Sequence, residues 1–233
     1  MKRLATLLLT LLPLTLPQLA TADDETMFTQ HFTVYGLHPG DYSDIRYQGA
    51  DGKLMELNFK RKRRSLTYKA KILRADPVLR FYRSASSESA TEVKEIASLR
   101  LNESAHKLLL IFLPEKAAMD GALSILPIEE GAQQALAGTV RIFNLTGVTL
   151  YGIAENERFR LEHLDCGQPI NLGKDNRGEF SILAEGSTRY HLVYKNELKV
   201  DDESQALLFL TPPYREGSLR IGGHLLYEEI PNN

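Results

Sequence analysis

Residues 101–130 read LNESAHKLLLIFLPEKAAMDGALSILPIEE, and residues 200–230 read VDDESQALLFLTPPYREGSLRIGGHLLYEEI. Each stretch opens on polar and acidic residues that include Glu-Ser. Each then runs into an apolar strand that ends on proline (Pro114, Pro212), crosses a loop and a second apolar strand, and closes on a Glu-Glu pair (Glu129-Glu130, Glu228-Glu229). The strand openings also correspond: Phe32-Thr-Val-Tyr-Gly36 stands ahead of the first stretch about as Thr139-Val-Arg-Ile-Phe143 stands ahead of the second. Self-similarity over about a hundred residues predicts one structural plan used twice.

The segments around these stretches carry the same period. Phe28, Gln30, Phe32 and Val34 alternate with Thr29, His31, Thr33 and Tyr35; Met55, Leu57 and Phe59 alternate with Leu54, Glu56 and Asn58. Phe159 and Leu161 alternate with charged neighbours, and Tyr190, Leu192 and Tyr194 alternate with His191, Val193 and Lys195. A period of two predicts strands with one buried face. Turn signals separate them at His38-Pro39-Gly40-Asp41, Gly49–Gly52, Asn171–Gly178 and Glu185-Gly186-Ser187. No long amphipathic helix is readable; Ser87–Ala97 and Glu130–Leu136 have room for a helical turn or two. The expected fold is therefore all-β: two tandem immunoglobulin-like antiparallel β-sandwich domains, 23–131 and 132–233, each of the usual size for that class. The absence of Trp and of a second Cys sets aside a true antibody-type domain. A short linker without a Pro/Gly/Ser run predicts that the two domains pack together.

Residues 1–22 read MKRLATLLLTLLPLTLPQLATA and carry the marks of a signal peptide. Lys2 and Arg3 form a positive start, Leu4–Leu16 an apolar stretch, and Ala20-Thr21-Ala22 a small-x-small cleavage site, with Asp23 as the expected first mature residue. Pro13 and Pro17 interrupt a stretch already shorter than the ~20 apolar residues of a membrane span, and no later run reaches that length. The short positive region points to Gram-negative-like export, to the periplasm or the medium.

Composition narrows the function classes. The chain has 233 residues, 28 Lys+Arg, 30 Asp+Glu, 43% hydrophobic residues and one Cys. That is a foldable globular balance. One thiol excludes an intramolecular disulfide and every zinc site with several thiolates. Cys166 is then a lone thiol in an oxidising compartment, expected as a small, partly buried residue. A near-neutral total argues against nucleic acid as partner.

The charge is unevenly placed. From Lys53 to Arg83 there are 11 Lys/Arg and two acids, Glu56 and Asp76, a balance of +9 against −13 for the rest of the mature chain. At the centre lie Lys60, Arg61, Lys62, Arg63 and Arg64, five cations in a row. Like charges side by side repel and must be solvated or paired. One reading makes the run an exposed hairpin tip or edge strand guarded against aggregation. The other makes it a contact for an acidic glycan, lipid headgroups or an acidic face of an envelope or extracellular protein. Tyr42, Tyr47, Tyr68 and Tyr82 lie in the same region, as core residues or as a stacking face for sugar or peptide.

The search for chemistry ends without a catalytic residue, a cofactor or a metal. There is no Gly-x-Ser-x-Gly elbow, no phosphate-cradling glycine loop and no His-Glu-x-x-His. The six His are scattered singly, and Asp201-Asp202-Glu203 reads as a solvated turn rather than a calcium loop.

GTVRIFNLTG (138–147), STRYHLVY (187–194) and SLTYKAKI (65–72) give the chain a loose resemblance to exported bacterial proteins of unknown function built of two similar β-domains. That resemblance brings no activity and no site residues. In length, in its leader and in the expectation of exposed, alternating hydrophobic strands such as Leu108–Leu113 the chain also resembles the periplasmic chaperones of pilus assembly. Those proteins cap subunits by strand addition. The expected function is a non-enzymatic exported binding or structural protein of the cell envelope, with the Lys60–Arg64 face as the candidate contact. Two alternatives stay open: a pilus-chaperone-like assembly factor, and a secreted polysaccharide-active enzyme with carboxylates gathered from distant strands.

Overall fold

The computed structural model describes residues 26–37, 42–49, 52–84, 93–105, 107–114, 123–130, 136–155 and 157–230. The expected leader, 1–22, and the expected boundary between 131 and 132 lie outside the described residues. The chain forms β1 (Met27–Gly36), β2 (Arg46–Gln48), β3 (Leu54–Glu56), β4 (Tyr68–Leu73), β5 (Val78–Ser84), β6 (Val93–Arg100), β7 (Lys107–Pro114) and β8 (Leu123–Glu129). There follow β9 (Thr139–Asn144), β10 (Leu150–Ala154), β11 (Glu157–Leu161), β12 (Ile170–Asn171), β13 (Arg177–Glu185), β14 (Tyr190–Lys199), β15 (Ser204–Thr211) and β16 (Gly222–Glu229). Among the described residues the only helical segment is a 3-10 turn at Lys174–Asn176.

The strands form four sheets, two central and two outer. The central ones are β4-β1-β7-β8 and β12-β9-β15-β16, and the outer ones are β3-β2-β5-β6 and β11-β10-β13-β14. The second half thus repeats the strand order of the first. The repeat extends to irregularities. The extra residue of a β-bulge is Ile96 on β6 in the first half and Val193 on β14 in the second, at the same place in the ladder. Both bulge residues are buried.

Three packed layers of side chains hold the sheets. Phe32, Val34, Leu110 and Phe112 meet Tyr47, Leu79 and Phe81 across the first half. Val140, Ile142, Leu208 and Leu210 meet Leu150, Phe180 and Ile182 across the second. The third layer lies between the central sheets, where Tyr35, Leu37, Leu109, Ile111 and Ile128 meet Phe143, Leu145, Leu207 and Phe209. The Tyr35 and Phe209 rings stack there at 6.3 Å. Both halves present the same positions to this interface. Leu37 donates its N–H to Phe112 as Leu145 does to Leu210, and Tyr35 lies opposite Ile111 as Phe143 lies opposite Phe209.

The all-β expectation holds, and several finer ones change. The immunoglobulin constant arrangement sets ABED against CFG. Here the first strand sits inside a sheet, parallel to the seventh (β1 with β7, β9 with β15). The period-two pattern reports faces, not neighbours. β1 and β7 can share a sheet interior because both are buried on both faces, from Phe32 to Leu37 and from Leu108 to Phe112. Leu108–Leu113 is therefore no exposed strand, and the chaperone-like surface expected there is a packed interior. The strand expected over 54–59 stops at Glu56, and Leu54, Met55 and Glu56 are all exposed on an edge. Val93–Arg100 is strand rather than helical turn. The bulge at Val193 breaks the alternation of β14: Tyr190 and Leu192 face solvent while Tyr194 turns into the core.

Candidate functional site: a basic turn and its counterpart

Lys60–Arg64 lies on the crossing from β3, at the edge of the first outer sheet, to β4, at the edge of the first central sheet. It is neither a hairpin tip nor a strand. Tyr68 anchors its base. Its ring packs between Phe32 and Tyr47. Its hydroxyl accepts the Asn58 N–H at 2.8 Å and donates to the Asn58 carbonyl at 3.0 Å. The chain then reverses: Arg63 donates its N–H to the Lys60 carbonyl at 3.0 Å, with Lys62 left-handed at φ 58°. Two backbone–backbone bonds attach this turn to β1, from Lys62 N–H to Gly36 (3.1 Å) and from Ser65 N–H to Val34 (3.0 Å).

The second half contains the same turn at Glu162–Cys166. Asp165 donates to Glu162 at 3.1 Å, and Leu164 is left-handed at φ 69°. Leu164 N–H reaches Asn144 at 2.7 Å and Gly167 N–H reaches Ile142 at 2.8 Å, both on β9. Position by position, Lys60 answers to Glu162, Arg61 to His163, Lys62 to Leu164, Arg63 to Asp165 and Arg64 to Cys166. One backbone geometry carries five cations in one half and two acids, a His, a Leu and a Cys in the other.

The run divides in two. Lys60, Arg61, Lys62 and Arg63 are exposed. Arg64 is not: it turns over the interface between the central sheets. Its Nε donates to Thr33 Oγ1 at 3.0 Å, its Nη1 to Glu228 Oε1 at 2.6 Å, and its Nη2 to Glu130. Lys107 Nζ lies 3.2 Å from the other Glu130 oxygen. Glu130 and Glu228 hold matching positions in the two halves, each at or just past the end of the strand that pairs with β7 or β15. The Glu-Glu echo in the sequence is thus real, but shifted by one residue from the pairing read there. Burial lowers the pKa of Arg64, opposed by Glu228. Burial also lowers that of Lys107, with Arg64 adding to the effect and Glu228 opposing it. The Glu228 carboxyl is pushed above the usual range by burial, against the pull of Arg64, Lys107 and Arg141. Arg64 is accordingly a half-buried clamp between the halves, with all three guanidinium nitrogens engaged.

The other candidates resolve more simply. Tyr42 and Tyr47 are core residues and Tyr68 packs half-buried on Phe32 and Tyr47, so the sugar-stacking face expected of this region is absent from those three. Cys166 is an exposed free thiol, contrary to the partly buried expectation, and its Sγ takes an Arg141 N–H at 3.0 Å. Asp201, Asp202, Glu203 and Glu229 line an open depression at the end of the second central sheet. The Asp202 carboxylate is held by the Asn176 side-chain amide. Among the described residues no group of three or more His, Cys, Asp or Glu is arranged to hold a metal ion. No helix among them is long and apolar enough to cross a membrane. Sequence reasoning missed Leu66, whose side chain is 84% exposed two residues after Arg64. It also missed every partner of Arg64, for which the sequence held no signal beyond the repeated glutamates. No protein-family model and no curated protein sequence matches the chain.

Proposed function

We propose that the protein is an exported, non-enzymatic binding protein of the cell envelope that contacts an anionic partner through Lys60, Arg61, Lys62 and Arg63. In this reading the two halves are tandem sandwich domains, the leader at 1–22 directs the chain to the periplasm or the medium, and the first domain carries the contact. One observation supports it above the others. The counterpart turn makes the same two backbone bonds to its own central-sheet strand, with one more from Asn144 N–H to Asp165, yet carries Glu162, His163, Leu164 and Asp165. Neither the turn nor protection of the sheet edge therefore requires cations. Four exposed cations kept together, with the fifth withdrawn into the interface, concentrate positive potential on one loop of a chain that is acidic elsewhere.

The test is salt-dependent retention on immobilised dextran sulfate. The chain from Asp23 is compared with a variant carrying Lys60→Ser, Arg61→Ser, Lys62→Gly and Arg63→Ser; glycine suits the left-handed position. The unchanged chain is expected to elute at distinctly higher salt. Coincident elution of the two overturns the proposal.

A further inference from the structure

We infer that the partner of the basic turn is an anionic lipid surface, with Leu66 as the side chain that enters it. The inference rests on the anion-contact reading above and names its target. Among the described residues Leu66 is the most exposed of the large apolar ones, at 84%, where the other exposed ones lie between 40% and 65%. It stands three residues beyond Arg63, so the two Cα atoms are within roughly 11 Å of each other. A strongly exposed leucine beside a cation cluster matches the interfacial layer of a bilayer, where phosphates meet acyl chains.

The same features fit the rival partners poorly. An acidic glycan is usually gripped by aromatic faces beside the cations, and here Tyr42 and Tyr47 are buried and Tyr68 is packed on Phe32 and Tyr47 with its hydroxyl engaged by Asn58. The charge distribution adds direction. The segment Lys53–Arg83 stands at +9 while the remainder of the mature chain stands at −13. An anionic surface would attract the turn and repel the remainder, orienting the molecule with the turn downward. Each Lys or Arg close to such a surface strengthens partition by roughly fivefold, so four supply on the order of several hundredfold. Burying one leucine side chain adds roughly tenfold or more.

The chain contains no Trp, so Leu66→Trp makes a single reporter at a site with room for it. The chain from Asp23, which keeps every described residue and omits a leader with its own lipid affinity, is mixed with vesicles of phosphatidylcholine alone or with phosphatidylglycerol added. The expected result has three parts. The indole emission of the Leu66→Trp variant shifts to the blue with the anionic vesicles only. Leu66→Ser, which keeps every charge, lowers co-sedimentation about tenfold. The four-residue variant abolishes both signals. An anionic-vesicle association without a blue shift and without an effect of Leu66→Ser overturns the lipid inference. So does failure to bind vesicles together with turn-dependent retention on dextran sulfate, which leaves the anion-contact reading standing and assigns the site to an acidic polymer. Failure to bind either probe overturns both.

Discussion

The turns at Lys60–Arg64 and Glu162–Cys166 are the same piece of backbone with opposite chemistry. Each closes with a bond from its fourth residue to its first, holds its third residue left-handed, and bonds to the central strand of its own half. What differs is what the side chains meet. Arg64 reaches across the stacked central sheets to Glu228 of the other half, whereas Cys166 takes a bond from Arg141 of its own. Repetition of a fold thus preserves hydrogen bonds that any residue can make through its backbone, and leaves the exposed side chains free to diverge. At the four exposed positions Lys60–Arg63 the first half carries cations where the second carries Glu162, His163, Leu164 and Asp165.

The halves also fill the same space differently, and that contrast carries the largest expected effect. Tyr47 pairs with Met55 in the first outer sheet as Gly152 pairs with Phe159 in the second. Tyr47 fills its core directly, whereas the Phe159 ring lies where a Gly152 side chain would be. Gly152→Ala should therefore cost about 2–3 kcal/mol by overpacking, read from urea unfolding, and Phe159→Leu in the same chain should recover part of it. An unaffected midpoint would show that the two sheets tolerate the same residues.

The next effect separates the turns themselves. Arg64→Ala leaves Glu130 and Glu228 facing each other across a mostly buried interface. A fully buried pair broken in this way costs several kcal/mol; with solvent still reaching the guanidinium, about 2 kcal/mol is expected. Cys166→Ala should change stability by less than about 0.5 kcal/mol, as an exposed surface change does. Equal losses at the two positions would break the distinction between clamp and bystander. Smaller and symmetric, Lys62→Gly and Leu164→Gly should each stabilise by up to about 1 kcal/mol, because both residues occupy the left-handed region that side chains disfavour. A gain at only one would mean that the two turns are not equivalent in strain.

The smallest effect is a change of slope. Burial holds the native pKa of Glu228 above its unfolded value, near 4.3 for an ordinary glutamate. Between the two values the native state binds more protons than the unfolded one, so stability rises as pH falls through that window and is lost as pH rises through the native pKa. Glu228→Gln removes the titrating carboxyl. The stability difference between wild type and variant should move in favour of the wild type as pH falls through the native pKa of Glu228. A difference independent of pH would place Glu228 in a more solvated setting than the interface.

Alternation and turn residues were enough to make this chain all-β, and the echo of 101–130 in 200–230 was enough to suggest one plan used twice. Both are local or self-referential signals, and a strand declares its faces every second residue. Strand neighbours were not legible, because β1 and β7 are brought together parallel from distant parts of the chain by burial on both sides. The run Lys60–Arg64 announced a concentration of charge, but five like residues carry no mark of which one is withdrawn. Only the stacking of the central sheets selects Arg64, by bringing Glu228 to it from 164 residues away. Exposure of Leu66 was hidden for the same reason, since an apolar residue beside a strand reads as core until the packing leaves it outside. The class of structure and the place where its charge gathers follow from the order of residues alone. The tertiary structure decided which of those charges hold the molecule together and which remain available to a partner, because pairing and exposure are properties of neighbours in space.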